Sequence, residues 1–404
     1  MLKRLMPPLA VLLMGLFLIA ATPHQGWLES YWAKPVATGG SEPHDWSDLE
    51  RDMAPEACAQ CHAAQFNAWQ ESQHSLAYSP GLIGQFPHLG LSASNGCLKC
   101  HAPLAEQRLP DMPQLHASLA AKLKQPLGFD REYDMDAPRL PLRHAGVTCA
   151  ACHVRGWQRF GPPQRDTGRT GPVAGAAHGG FTGSKKFSSS QFCASCHQFP
   201  QTYAINGKPM ENTLVEWQQS RFAAEGVQCQ TCHMPDRKHA FKGIHDAGMV
   251  RKGLTFKPVL KGNTASLTIT STWIGHAFPT YVTPKVTVSM LALDRQGGVL
   301  EQKAWSIERR VAYSNGWQEL SDTRLLPGES RVFTFEHLPQ RAASVRFSVD
   351  VVPDHFYKGV YQGLLADSQQ SDAKQLIERA LQQADRNDYQ LYLYDEERKA
   401  NEAH

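Results

Sequence analysis

The stretch HAGVTCAACHVRG, residues 144 to 156, decides how the chain is read. Cys149 and Cys152 stand three apart, and His153 follows the second cysteine at once. The pattern recurs as CAQCH at 58–62, CLKCH at 97–101, CASCH at 193–197 and CQTCH at 229–233. Together these stretches use all ten cysteines of the chain: Cys58, Cys61, Cys97, Cys100, Cys149, Cys152, Cys193, Cys196, Cys229 and Cys232. The histidines behind the pairs are His62, His101, His153, His197 and His233.

This spacing has a chemical reason. Two thiols separated by two residues on a tight turn can each add to one vinyl group of a porphyrin. The next residue then turns its imidazole toward the iron from the same side. C-x-x-C-H is the attachment signature of c-type haem, so the sequence predicts five covalently bound haem c groups with their iron. Zinc knuckles would have to combine pairs, and five is an odd number. Disulfides and redox dithiols leave the histidine behind every pair without a role.

The totals fit that reading. A chain of 404 residues has room for two or three domains. Its 20% charged and 42% hydrophobic residues are ordinary for a soluble globular protein. The formal charge is +3, or near +1 once Lys3 and Arg4 are removed. No basic run is interleaved with aromatics, which excludes nucleic acid as a partner. The N-terminus places Lys3 and Arg4 before an apolar run, Leu5 to Ala21. Residues 1–22 therefore read as a signal peptide, with an uncleaved N-terminal anchor as the alternative. Either reading puts the body outside the cytoplasm, in the periplasm or on the extracellular face; the second adds membrane association.

The motifs lie between 58 and 233, and the segments between them are short. A cytochrome domain spanning 45–250 is expected, in which porphyrins act as core for short helices. Residues 56–79 and 113–125 read as helices, and the Gly- and Pro-rich stretch 156–184 as irregular loop. Past His245 the texture changes. ASLTITSTWI (265–274), TPKVTVSMLALD (283–294), SIERRVAY (306–313), SRVFTFEHL (330–338) and ASVRFSVDVV (343–352) alternate and are rich in β-branched residues. They predict an antiparallel β-sandwich domain over 251–365. Residues 366–404 then offer an amphipathic helix and a tail, with Ser371 or Asp372 as N-cap and Leu376, Ile377, Ala380, Leu381 and Ala384 on one face. The expected fold class is α+β.

Whether such a chain is a wire or an enzyme depends on the second ligand of each iron. Two protein ligands close the coordination sphere, whereas an open position can bind and reduce a substrate. Thirteen histidines remain beyond the five of the motifs. Six are candidate second ligands. His74 stands twelve residues past His62; His178 sits in the glycine-rich GAAHGG; His239 and His245 follow the fifth motif closely. His144 can reach a neighbouring haem, and His276 leaves a strand end in GHAFPT. His24, His44, His88, His116, His337, His355 and His404 read as surface or structural residues.

CLKCHAPLAEQ, GVTCAACHVR, FCASCHQF, GVQCQTCHMP and GHAFPT together resemble bacterial multihaem c-type cytochromes. These are related to the tetrahaem cytochromes that take electrons from hydroxylamine oxidoreductase. The resemblance covers roughly residues 55 to 290 and implies exported electron carriers with mostly bis-histidine haems. The ammonia-forming pentahaem nitrite reductases share the haem number and the CHMP flank, but use a C-x-x-C-K site at the active haem; all five sites here end in histidine. The expected function is therefore a relay of single electrons between redox protein partners. The alternative is a reductase of nitrite, hydroxylamine or a similar nitrogen or sulfur compound at a five-coordinate haem.

Overall fold

The computed structural model describes residues 23–126, 141–165, 168, 170–171, 175–367 and 371–398; the predicted signal or anchor lies outside them. The architecture is α+β, as expected, with short helices up to Gly253, antiparallel sheets, two helices and a closing strand. No helix among the described residues is long and apolar enough to cross a membrane.

Each cysteine motif lies on a helix that ends at its histidine or kinks there. These helices are Pro55–Gln70 with a kink at His62, Phe86–His101, Cys149–His153, Ser190–His197 and Cys229–His233. Proline in the first turn starts the first two, where its missing N–H costs nothing. Thr148 and Ser189 cap the third and fourth by accepting from the Ala151 and Gln191 amides. The first helix is shorter than expected. It stops at Gln70 because the Ser75 hydroxyl donates to the Gln70 and Ser72 carbonyls, which competes with helical bonding. His74 consequently sits in a turn.

Residues 156–184, expected as irregular loop, contribute to a small sheet. Val154–Arg155 pairs antiparallel with Gln158–Gly161, which pairs parallel with Thr182–Gly183. The connecting Gly156 and Trp157 both have positive φ, 54° and 66°, as a two-residue hairpin turn requires.

The sandwich packs two sheets. One has the order Ser330–Phe335, Thr264–Ser271, Leu254–Lys261; the other Tyr389–Glu397, Ser344–Val352, Lys285–Leu293, Val299–Ile307. Alternation sends Ala265, Leu267 and Ile269 into the core while their neighbours stay partly exposed. The expected strand at 306–313 divides at Glu308 between Val299–Ile307 and Arg309–Tyr313, and most of the first went unread because polar residues on its exposed face dilute the alternation.

The C-terminal segment divides between the two halves. Helix Asp372–Arg386, capped by Ser371, buries Leu376, Ile377, Ala380 and Ala384 against helices Pro80–Gly84 and Met112–Leu123 of the motif half. The strand after it returns to the sandwich edge beside Ser344–Val352. Residues 366–404 are thus not one unit. Helix His355–Asp367, which the sequence did not suggest, runs into their first residues. Two buried arginines join the halves. Arg309 donates to the Ile205, Lys208 and Pro209 carbonyls, and Arg324 reaches Glu216 at 2.8 Å and the Thr280 carbonyl at 2.9 Å.

Candidate haem sites

A helical turn explains how each motif can serve a porphyrin. Residues three and four apart share a helix face, so both cysteines and the following histidine project to one side. All ten cysteines are free, and among the described residues no group of three or more His, Cys, Asp or Glu side chains converges on a bare metal ion.

Four of the five motif histidines are held by a hydrogen bond at Nδ1. Nδ1 of His101 donates to the Ala77 carbonyl at 3.1 Å, that of His153 to Phe160 at 2.7 Å and that of His233 to Lys242 at 2.6 Å. His197 Nδ1 lies 2.6 Å from the Tyr281 hydroxyl. The same device recurs outside the motifs: His178 donates to Gly180, His239 to Arg237 and His276 to Ala277, at 2.9, 2.9 and 3.0 Å. A proton committed to Nδ1 leaves the Nε2 lone pair free for a metal. Burial also keeps the rings neutral. It pulls the pKa of His74 down to about 3, and those of His153, His197 and His276 down to about 4.

The fold brings these rings together in pairs. His74 faces His197 with ring centroids 6.2 Å apart, His153 faces His239 at 5.9 Å, and His233 faces His276 at 6.3 Å. Two imidazoles on opposite sides of one ion, each at a metal–nitrogen distance of about 2 Å, place their centroids roughly 6 Å apart. His178 lies close enough to His62 for the two to interact electrostatically. Its own backbone is left-handed, φ 46°. Neither His62 nor His101 has a second imidazole at that spacing among the described residues; the imidazoles within electrostatic reach of His101, His74 and His197, already face each other.

The surroundings fit haem rather than a smaller ion. His197 keeps 42% of its side chain accessible, yet burial is the main cause of its depressed pKa. A ring both deep in the protein and accessible lines an internal hollow. Glu211, 3.8 Å from His197 and near Cys100, borders the same space, and burial pushes its pKa up to about 8. The attachment cysteines also come near one another: Cys58 lies within electrostatic reach of Cys149, Cys100 of Cys196, Cys193 of Cys229, and Cys152 of Cys193 and Cys196. The first motif therefore neighbours the third, and the fourth neighbours the second, third and fifth.

Residues 57–118 match the family model described as cytochrome c554 and c-prime. The fold is similar to the crystal structure of a penta-heme cytochrome c552 from Thermochromatium tepidum, with a TM-score of 0.54 and 18% identity. That likeness covers 87% of this chain and 100% of the other. No curated protein matches the chain. Motifs, family match and shared fold together support a multihaem c-type cytochrome with covalently bound haem. The relation to hydroxylamine oxidoreductase expected from the sequence has no counterpart in these comparisons.

Among the candidate second ligands, His74, His178, His239 and His276 come to motif histidines. His144 and His245 do not. His245 Nε2 donates to Asp354 at 3.0 Å, which occupies the nitrogen a metal would need. His144 is 2% exposed and packs 4.9 Å from the Tyr78 ring, with neither ring nitrogen hydrogen-bonded. Three positioning groups escaped the sequence reading. Tyr281 holds His197, and Glu216 accepts from the Ala277 amide at 3.1 Å, fixing the His276 loop against Arg324. Glu211 is the third. Tyr281 directly follows GHAFPT and could have been suspected; nothing in NTLVEWQQS marks Glu216.

Proposed function

We propose that this cytochrome is an exported pentahaem relay that passes single electrons between redox protein partners. Four of its haems are closed by two imidazoles: His62 with His178, His153 with His239, His197 with His74, and His233 with His276. The observation that carries the reading is the set of three facing imidazole pairs, each at the spacing one metal ion needs. Haem, when bound, supplies reversible one-electron exchange at its iron. The chain's part is to hold and tune. Nδ1–carbonyl bonds make the imidazoles stronger donors, which favours low potentials. Neighbouring motifs keep the attached groups close, and tunnelling falls exponentially with distance. The order of neighbours is a line through motifs one, three, four and five, with motif two branching from four. Export is supported by Lys3, Arg4 and the Leu5–Ala21 run.

A second reading has its own observation: among the described residues, the imidazoles within electrostatic reach of His101, His74 and His197, already face each other. With the position opposite His101 open, the second haem would bind a small ligand and could reduce nitrite or hydroxylamine. One experiment addresses both readings. The oxidised holoprotein is expected to carry five haems by intact mass and a low-spin spectrum with a minor high-spin component. Carbon monoxide should bind one haem of the reduced form. Five carbon-monoxide-binding haems would refute the imidazole pairs; none would refute the open position.

A further inference from the structure

The loop from Gly275 to Tyr281 serves two motifs at once. Near its start His276 faces His233, and at its end the Tyr281 hydroxyl lies 2.6 Å from Nδ1 of His197. Between these points the loop is gripped by one short helix, Thr213–Gln218. Thr213, Glu216 and Trp217 are spaced as i, i+3 and i+4, so they share the helix face turned to the loop. Thr213 Oγ1 lies 2.9 Å from Thr280 Oγ1. Glu216 accepts from the Ala277 amide at 3.1 Å and from the Thr280 hydroxyl at 3.4 Å. At Trp217 the approach is close: a Cβ on Gly275 would lie 3.3 Å from the indole ring. The helix is itself tied to the fourth motif. Gln198, the residue after His197, accepts from the Leu214 and Val215 amides at 3.1 and 3.2 Å, which satisfies donors of the first turn. The contacts close into a circuit of His197, Gln198, the helix, the loop, Tyr281 and His197 again.

Such bonds fix ring angles as well as positions. The His233 and His276 planes lie 14° apart, while those of His197 and His74 lie 41° apart. Imidazoles with parallel planes donate to the same iron d orbital, and crossed planes share the donation between two. The angle therefore shapes the low-spin spectrum and tunes the potential. We propose that the Gly275–Tyr281 loop couples the fourth and fifth haems by setting the ring angles at both, with Thr280 as the positioning residue that joins its two ends. This rests on the pairing of His197 with His74 and of His276 with His233. The Thr280 hydroxyl ties the loop to Thr213 and Glu216, and its carbonyl, one bond before Tyr281, accepts from Arg324 at 2.9 Å. A displacement at either ring is passed round the circuit to the other, and by linkage the coupling is reciprocal. Two neighbouring haems of the relay are thereby tuned as one unit.

The test is electron paramagnetic resonance of the oxidised holoprotein, in which each low-spin haem gives its own signal. His276→Ala should remove the signal of the fifth haem, and Tyr281→Phe should move that of the fourth the most. Thr280→Val, which keeps the side-chain shape and removes the hydroxyl, should shift both of these signals and leave the others in place. Thr280→Ser should restore both. Thr270→Val makes the same change at a hydroxyl bonded to Ser330 on the sandwich surface, and should shift neither. Should Thr280→Val fail to assemble, Thr213→Val removes the same bond from the helix side and should give the same two shifts. If every low-spin signal survives His276→Ala, the imidazole pair falls and the coupling with it. If the fifth signal is lost but the threonine variants move only one signal or none, the pairs stand and the coupling is overturned.

Discussion

From Val250 to Leu391 the buried apolar side chains of the sandwich touch one another in a single cluster. Between Tyr31 and Val154 and around Phe187 they fall instead into separate small groups. The groups stand around the cysteine motifs: Cys97 packs on one and Cys152 on another. Cores this small do not fold a chain unaided, and proteins that have them depend on a bound group. The difference teaches that the two halves draw stability from different sources. One buries its own side chains; the other wraps hollows that are completed when haem is attached.

The largest effect expected from this contrast is loss of half the fold. Chain produced without haem attachment, for example lacking residues 2 to 21 and retained in the cytoplasm, should keep a folded sandwich and an unfolded motif half. Limited proteolysis should then leave a fragment beginning near residue 254, whereas holoprotein resists. Equal resistance of both halves without haem would break the comparison.

The two halves also differ in how legible they were. Cysteine spacing declared the attachment sites because covalent chemistry allows little variation in local geometry. The strands around Thr264–Ser271 and Ser344–Val352 were visible because alternation records one buried face. What could not be read was pairing across distance. His74 stands twelve residues past His62, yet it faces His197, since the chain turns away at Gln70. His239 and His245 look equivalent in sequence, and Asp354, just past the strand Ser344–Val352, decides between them. Helix His355–Asp367 went unseen because its aromatic residues serve two neighbours rather than one face.

A middle-sized effect tests where the halves meet. Arg324 and Glu216 are nearly buried, with 4% and 7% of their side chains accessible, and lie 2.8 Å apart. Arg324→Met leaves the Glu216 carboxylate buried without its cation, which costs about 3–5 kcal/mol. Because Glu216 also holds the Ala277 amide, the His276 loop should loosen. Denaturant unfolding should show the loss, and a new high-spin component should appear, as is expected of His276→Ala, which removes the imidazole facing His233. A destabilised Arg324→Met variant with an unchanged low-spin spectrum would confine the ion pair to a purely structural role.

The smallest effect concerns His144, which belongs to the motif half but faces no motif histidine. Burial, then the neighbouring Lys122 and Arg143 charges, lower its pKa from 6.5 to about 3. The folded state therefore binds this proton less readily than the unfolded chain, and stability falls as pH drops below about 6.5 toward 3. At a cost of about 1.4 kcal/mol per pH unit across that window, His144 removes about 2 kcal/mol between pH 7 and pH 5. Replacing the ring with one that cannot take a proton, His144→Phe, should flatten this part of the acid-unfolding profile of the motif half. The sandwich signal should not move, because His144 packs on Tyr78, within the small apolar group of the motif half. An unaltered acid slope in His144→Phe would show that the unfolding acid load enters elsewhere.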